Sequence, residues 1–169
     1  TERTTLDFGL RYNYEEISAD VQNFGPTSPD APARANGTDA DGVWLGKLAL
    51  QHWVLEDTMG YASVATGYKG AAFDTTPFNA DKAQNPVQPE TSVNYELGVK
   101  SIALERRVQM DTAIFYTSYD DFQAQDFRAK DDGTADVRLL NVGSLETYGV
   151  ELDAAALVRL LERCDALRK

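Results

Sequence analysis

Two runs decide the fold: Met59-Gly-Tyr-Ala-Ser-Val-Ala-Thr-Gly-Tyr68 and Asn94-Tyr-Glu-Leu-Gly-Val-Lys-Ser101, joined by a long segment rich in Gly, Pro, Asp and Asn. In the second run Tyr95, Leu97 and Val99 alternate with Asn94, Glu96, Gly98 and Lys100. A period of two is the period of a strand, so the first set faces one side and the polar set the other. The joining segment contains Pro77, Pro86 and Pro89 and is longer than a tight hairpin needs. Two strands and one oversized loop form a unit, and the chain repeats it.

Toward the N-terminus, Leu6, Phe8, Leu10, Tyr12 and Tyr14 alternate with Asp7, Gly9, Arg11, Asn13 and Glu15. The matched alternation predicts a strand of about ten residues, a length that suits a tilted membrane crossing. A loop follows from Ile17 to Asp41, then a strand from Val43 to Val54 carrying Trp44 and Trp53, then a short turn at Leu55–Thr58. Toward the C-terminus, a short turn at Glu105-Arg106-Arg107 leads into a strand running from Gln109 through Ile114, Phe115, Tyr116 and Tyr119. A loop around Lys130–Thr134 precedes a last strand from Val137 to Asp153. The facing of the third and fifth strands stays open, since Tyr61 and Val64 fall on opposite sides. Connections alternate long and short, which puts every long loop at one end. A soluble sandwich has no reason to do this, whereas outer-membrane barrels have short turns at one rim and long loops at the other.

The pattern therefore predicts an all-β, antiparallel up-and-down meander of about six strands over residues 1–153, belonging to a transmembrane β-barrel. Residues 154–169 break the alternation: Leu157, Leu160, Leu161, Cys164 and Leu167 recur at helical spacing among charged residues. They predict a short C-terminal helix, either a genuine amphipathic one or a non-native tail with helical periodicity.

Composition narrows the function classes. The chain has 169 residues, enough for one ordinary domain, and a net charge of -11. That charge argues against nucleic acid as a partner, because neutralising phosphates needs clustered Lys and Arg. No run approaches the roughly 20 apolar residues of a membrane helix, which says nothing against strands that alternate. Cys164 is the single cysteine, so no intrachain disulfide forms, and His52 is the single histidine. No nucleophile motif accompanies His52, and no cofactor is expected. Thr1-Glu-Arg-Thr-Thr5 has no signal-peptide character and leads straight into a strand, as in a segment of something larger.

Taken together, Gly9-Leu-Arg-Tyr-Asn-Tyr-Glu15, Tyr61-Ala-Ser-Val-Ala-Thr-Gly-Tyr-Lys-Gly70, Pro89-Glu-Thr91 with Tyr95-Glu-Leu-Gly-Val-Lys-Ser101, and Asn141-Val-Gly-Ser-Leu-Glu-Thr-Tyr-Gly-Val-Glu151 resemble the barrel of TonB-dependent outer-membrane receptors. The resemblance covers residues 5–153, with the motifs in the family's order. It implies a roughly 22-stranded barrel with an N-terminal plug. Such receptors import ferric siderophores, cobalamin or other scarce nutrients with energy relayed by TonB, and are not enzymes. No plug, TonB-contacting segment or closing strand is recognised here, so the chain resembles a middle-to-late piece of a receptor. A ferric siderophore is the expected cargo class, outer-membrane lipid surrounds the wall, TonB acts through the plug, and the cell is Gram-negative. Two other classes stay open: a small self-contained outer-membrane barrel with a structural or adhesive role, which needs at least about eight closed strands, and a soluble β-sheet binding module. The latter requires Leu6, Phe8, Leu10, Tyr95, Leu97 and Val99 to pack against a second layer.

The resemblance also implies roles for particular residues. Arg11, Asn13, Glu15, Glu96, Lys100, Glu151 and Asp153 would face the lumen, as against an ordinary solvent-facing sheet surface. Trp44, Trp53, Tyr12, Tyr14, Tyr68, Tyr119 and Phe122 fall near strand ends, as interface girdles do, although β-propensity alone enriches aromatics in strands. Tyr68, Lys69, Phe73 and Phe78, in or beside the second long loop, form a candidate substrate-binding group, since aromatics with a cation suit an iron–catecholate complex. A loop covering itself with its own side chains is the plainer account. Asp39-Ala-Asp41-Gly42 and Asp131-Asp132-Gly133 lack the remaining spacing of a calcium loop and are explained by turn chemistry.

Overall fold

The computed structural model describes residues 3–22, 34–74, 86–129, 133 and 135–157. They form eight strands: β1 (Thr4–Gln22), β2 (Arg34–Leu55), β3 (Thr58–Lys69), β4 (Glu90–Ala103), β5 (Val108–Asp120), β6 (Gln123–Ala129), β7 (Ala135–Asn141) and β8 (Leu145–Ala156). Six of them make one antiparallel sheet in the order β1-β2-β3-β4-β5-β8, and β6 pairs with β7 as a separate hairpin. The up-and-down meander expected from the alternation is the observed topology. Its short turns, at Glu56-Asp57 and Leu104–Arg107, lie at one end, and its long connections lie at the other.

Register carries the alternation across the whole sheet. Leu6, Leu50, Ala62, Leu97, Ile114 and Val150 form one row from β1 to β8, and Phe8, Leu48, Val64, Tyr95, Tyr116 and Tyr148 form the next. The opposite face carries the rows Asp7-Ala49-Ser63-Glu96-Phe115-Gly149 and Thr5-Gln51-Tyr61-Gly98-Ala113-Glu151. The facing left open for two strands is thereby settled: Val64, Ile114 and Tyr116 share the apolar side, and Tyr61 and Phe115 the other. The apolar rows stay exposed, with Phe8 at 73% and Val150 at 72%. Among the described residues Ala49, 6% exposed, is the one buried hydrophobic residue. A water-soluble domain buries its apolar face against a second layer. None covers this face among the described residues, so the soluble-module alternative lacks its required packing.

Several expectations need correction. β1 and β2 run past the loop expected at 17–41: Ile17 pairs with Asp39 and Gln22 with Arg34, a two-stranded ribbon extending the sheet. The single last strand expected over 137–153 is two, because Gly143 at φ 85° breaks it and the chain turns back. The strand count thus rises from six to eight, yet β6 and β7 stand apart from the main sheet. Among the described residues β1 does not pair with β8, so no small closed barrel forms. The helix expected from residue 154 does not begin there. Ala154–Ala156 belong to β8 because Val108–Met110 of β5 offers them a continuous ladder. Residues 158–169, including Cys164, lie outside the described ones. Trp44 and Trp53 face opposite sides, as their odd spacing along β2 requires; Trp53 lies on the side of Gln51.

The β4–β5 turn places Leu104, Glu105 and Arg106 at φ 52°, 56° and 64°. Side chains other than glycine's pay sterically for this left-handed region, by about 1–2 kcal/mol per residue. Substituting Glu105→Gly is expected to raise unfolding stability of the whole protein by about 1 kcal/mol. Glu105→Val should lower it, as read from denaturation midpoints; equal midpoints for the two variants would show that the turn is unstrained.

Candidate functional site

Two regions gather polar chemistry. The first is the polar sheet face near the short-turn end. Tyr61 Oη donates to Glu96 Oε1 at 2.5 Å, and Lys100 Nζ lies 3.7 Å from Asp111 Oδ2 and 5.8 Å from the centre of the Tyr61 ring. Period-two facing and the β3–β4–β5 register bring these residues together from three strands. With Glu151 and Asp153 from β8 they line an open groove of about 320 Å³. Farther along the same face, Thr117 donates to Asn94 at 2.7 Å, Gln51 to Asp7 at 2.8 Å and Arg11 to Asn13 at 3.0 Å. Gly98 is needed here: the Tyr61 ring lies on its Cα, where a Cβ would overlap ring carbons.

Arg11, Asn13, Glu15, Glu96, Lys100 and Glu151 therefore share one face, as their alternation predicts. The structure divides them into neighbourhoods. Glu96, Lys100 and Glu151 line the groove, whereas Glu15 stands at the long-loop end near Asp39, Asp41 and Tyr68. Its carboxylate reaches the space above Gly70, which a side chain there would fill.

The second region is the long-loop end. Tyr68 donates across to Asp41 Oδ2 at 3.3 Å, and Lys69 Nζ lies 3.7 Å from Glu90 Oε2. Phe73 is half-buried, and Phe78 lies outside the described residues. Tyr68 and Lys69 are thus held by separate carboxylates rather than converging on one point. Of the expected girdle, Tyr12 and Trp44 meet at a tilt of 48° on the apolar side with ring centres 5.0 Å apart, and Tyr14 is exposed beside them. Tyr119 instead meets Phe122 edge-on at 5.8 Å at the root of the hairpin. His52 sits on the apolar side, its Nδ1 2.8 Å from Thr4 Oγ1. Among the described residues no group of three or more His, Cys, Asp or Glu side chains is placed to hold a metal ion.

The sequence gives no sign of a buried polar cluster at this end. Glu90, Gln123 and Asp74 are 8%, 5% and 5% exposed. The Gln123 main-chain N–H donates to Glu90 Oε2 at 2.8 Å, and its Nε2 donates to the carbonyls of Gly70 (2.8 Å) and Gln88 (3.0 Å). Periodicity cannot find these residues, because they meet only when the β6–β7 hairpin folds back. The turn residues Asn141 and Gly143 are the one local signal.

Residues 1–161 match the family model described as TonB dependent receptor-like, beta-barrel. The chain belongs to this receptor family. It is similar to the pesticin receptor of Yersinia pestis, 30% identical over 91% of the chain, and to that of Yersinia enterocolitica at 29%. The chain spans about a fifth of the length of these curated relatives, 21%. Among solved structures, the ferric yersiniabactin uptake receptor FyuA from Yersinia pestis superposes with a TM-score of 0.70 at 27% identity, covering 91% of this chain and 22% of that one. The siderophore receptor PiuA from Acinetobacter baumannii shares the fold with a TM-score of 0.68 at 21% identity, over 94% of this chain and 21% of that one. Within the TonB-dependent receptor family the exposed apolar face and the one-ended long loops are the ordinary architecture of a barrel wall, and the family consists of receptors rather than enzymes.

Packing of Tyr61 on Gly98 yields a prediction. Gly98→Val forces the ring off the sheet and breaks its bond to Glu96, and is expected to cost about 1–3 kcal/mol in unfolding stability of the whole protein. Gly46→Val, where a Cβ would meet no atom closer than 3.9 Å, should cost less. Equal losses in denaturation would show that ring packing is not the cause.

Proposed function

We propose that this chain is part of the wall of a TonB-dependent receptor in the outer membrane of a Gram-negative bacterium, and that the receptor imports a ferric siderophore. The observation that carries the membrane reading is the exposed, unbroken apolar face running from β1 to β8, opposite a face of charged and amide side chains. From Leu6 to Tyr14 this face extends about 26 Å along β1, the height of the apolar band of an outer-membrane barrel before tilt. On this reading lipid covers the apolar rows, while Arg11, Asn13, Glu15, Glu96, Lys100 and Glu151 face the lumen. The parent barrel would be roughly 22-stranded, and TonB would act through a plug that fills that lumen.

The cargo reading draws on two of the relatives, one of them a ferric yersiniabactin uptake receptor. Tyr68, Lys69 and Phe73 stand at the long-loop end, which on this reading faces outward. An aromatic beside a cation suits a ferric complex that is both aromatic and charged.

Two measurements test the proposal. In the whole receptor refolded into phospholipid vesicles, Leu97→Arg is expected to cost about 2–4 kcal/mol. Ser63→Arg, on the polar face, should cost about 1 kcal/mol or less; equal costs would remove the lipid-facing assignment. The second measurement is binding of ferric yersiniabactin to the whole receptor. Lys69→Ala and Phe73→Ala are each expected to weaken it about tenfold, the loss of one charged or stacking contact. Failure of the unmodified receptor to bind would rule out this siderophore, and failure to support TonB-dependent iron uptake would rule out the cargo class.

A further inference from the structure

The β6–β7 hairpin leaves the main sheet between β5 and β8, which pair directly with each other across it. Both of its roots are in left-handed backbone, Asp121 at φ 53° and Gly143 at φ 85°. They are bridged by the Phe122 N–H to the Gly143 carbonyl and the Val142 N–H to the Phe122 carbonyl, both at 2.9 Å. The hairpin is otherwise outside the sheet ladder, so what fixes its direction is what it touches.

It touches the β3–β4 connection at three places. Gln123, at the start of β6, donates from Nε2 to the carbonyls of Gly70 and Gln88, which lie on opposite stems of that connection. Asn141, at the end of β7, receives the Gln88 N–H at 2.8 Å and donates from Nδ2 to the carbonyls of Gln88 (3.0 Å) and Asp121 (2.6 Å). In the middle of β7 the Leu139 N–H donates to Asp74 Oδ2 at 3.1 Å. The stems are joined to each other by the Val87 N–H to Ala72 carbonyl bond at 2.9 Å. Glu90 links this network to the candidate binding group, since its Oε2 accepts from the Gln123 main chain and also lies beside Lys69.

The geometry points to Gln123 as a positioning residue: it ties the β6–β7 hairpin, which leaves the sheet at Asp121 and Gly143, to both stems of the β3–β4 connection, so that hairpin and stems hold together and keep Lys69 in place. While the Asn141 bonds are exposed, burial gives the Gln123 end of the tie its strength. Hydrogen bonds among groups this sheltered are costly to leave unmade, because a stranded carbonyl or amide gains no water. Only the part of this inference that concerns Lys69 rests on the proposed siderophore function; the coupling itself needs no ligand.

Amide hydrogen exchange in the whole receptor in detergent micelles tests it. Gln123→Met keeps the side chain's length while removing both amide donors, and Asn141→Ala cuts the far end of the network. Each is expected to speed exchange at Val87, Gln88 and Leu139 together, by about tenfold for the loss of a hydrogen bond. Amides in the β4–β5 ladder should be unchanged. Arg128→Ala, which removes only an ion pair within the hairpin to Asp126, should leave all three amides as they were. Faster exchange confined to either the hairpin or the connection would overturn the coupling, as would no change in either variant. A rise spreading into β4 and β5 would overturn it equally, by making Gln123 a general stabiliser of the sheet.

Discussion

The antiparallel main-chain ladder is what everything else in this molecule depends on. With one buried hydrophobic residue among those described, the sheet has no apolar interior to hold it. Its order comes from continuous pairing of β1 through β5 with β8. Such pairing satisfies each backbone donor and acceptor between the strands. The same ladder transmits the facing of side chains, since a fixed register makes each residue share a side with its partner. The apolar residues of β1 thereby become part of a face six strands wide.

That face and its opposite are stabilised differently. The apolar side relies on its surroundings, which in the proposed setting are lipid chains. The polar side is organised from within by short cross-strand contacts: Tyr61 with Glu96, Lys100 with Asp111, Asn94 with Thr117. Glycines contribute by leaving room. At Gly98 and Gly149 the rings of Tyr61 and Phe115 occupy the space a Cβ would take, which fits large aromatics onto the polar face without crowding it. The long-loop end follows a third principle, with a few buried amides and carboxylates fastening two excursions that the sheet itself does not hold.

Alternation made much of the fold legible. Leu6 to Tyr14, and Tyr95 to Val99, identify their strands and sides because a strand's side-chain period is fixed by covalent geometry. The short turns at Glu56-Asp57 and Glu105–Arg107 were equally plain. The polar-face residues Arg11, Asn13, Glu15, Glu96, Lys100 and Glu151 could be assigned to one side for the same reason. The β6–β7 hairpin was missed because residues 123–141 have mixed polarity and weak alternation, as suits strands outside the main sheet. Glu90 and Gln123 had no signature at all, and Asn141 only that of a turn residue: a buried Gln is indistinguishable in sequence from an exposed one.

What the sequence by itself determined was periodic: the strands of clear alternation, the side their residues face, and that the long connections share one end. Those properties follow from neighbours along the chain, where backbone geometry leaves little choice. Tertiary structure alone decided that β5 pairs with β8 across an excluded hairpin, and that Ala154–Ala156 continue a strand. It also decided that Glu90, Gln123 and Asn141 meet. Each of these depends on which distant partner completes a hydrogen bond, and a chain carries many residues able to supply one. Only the closed geometry selects among them.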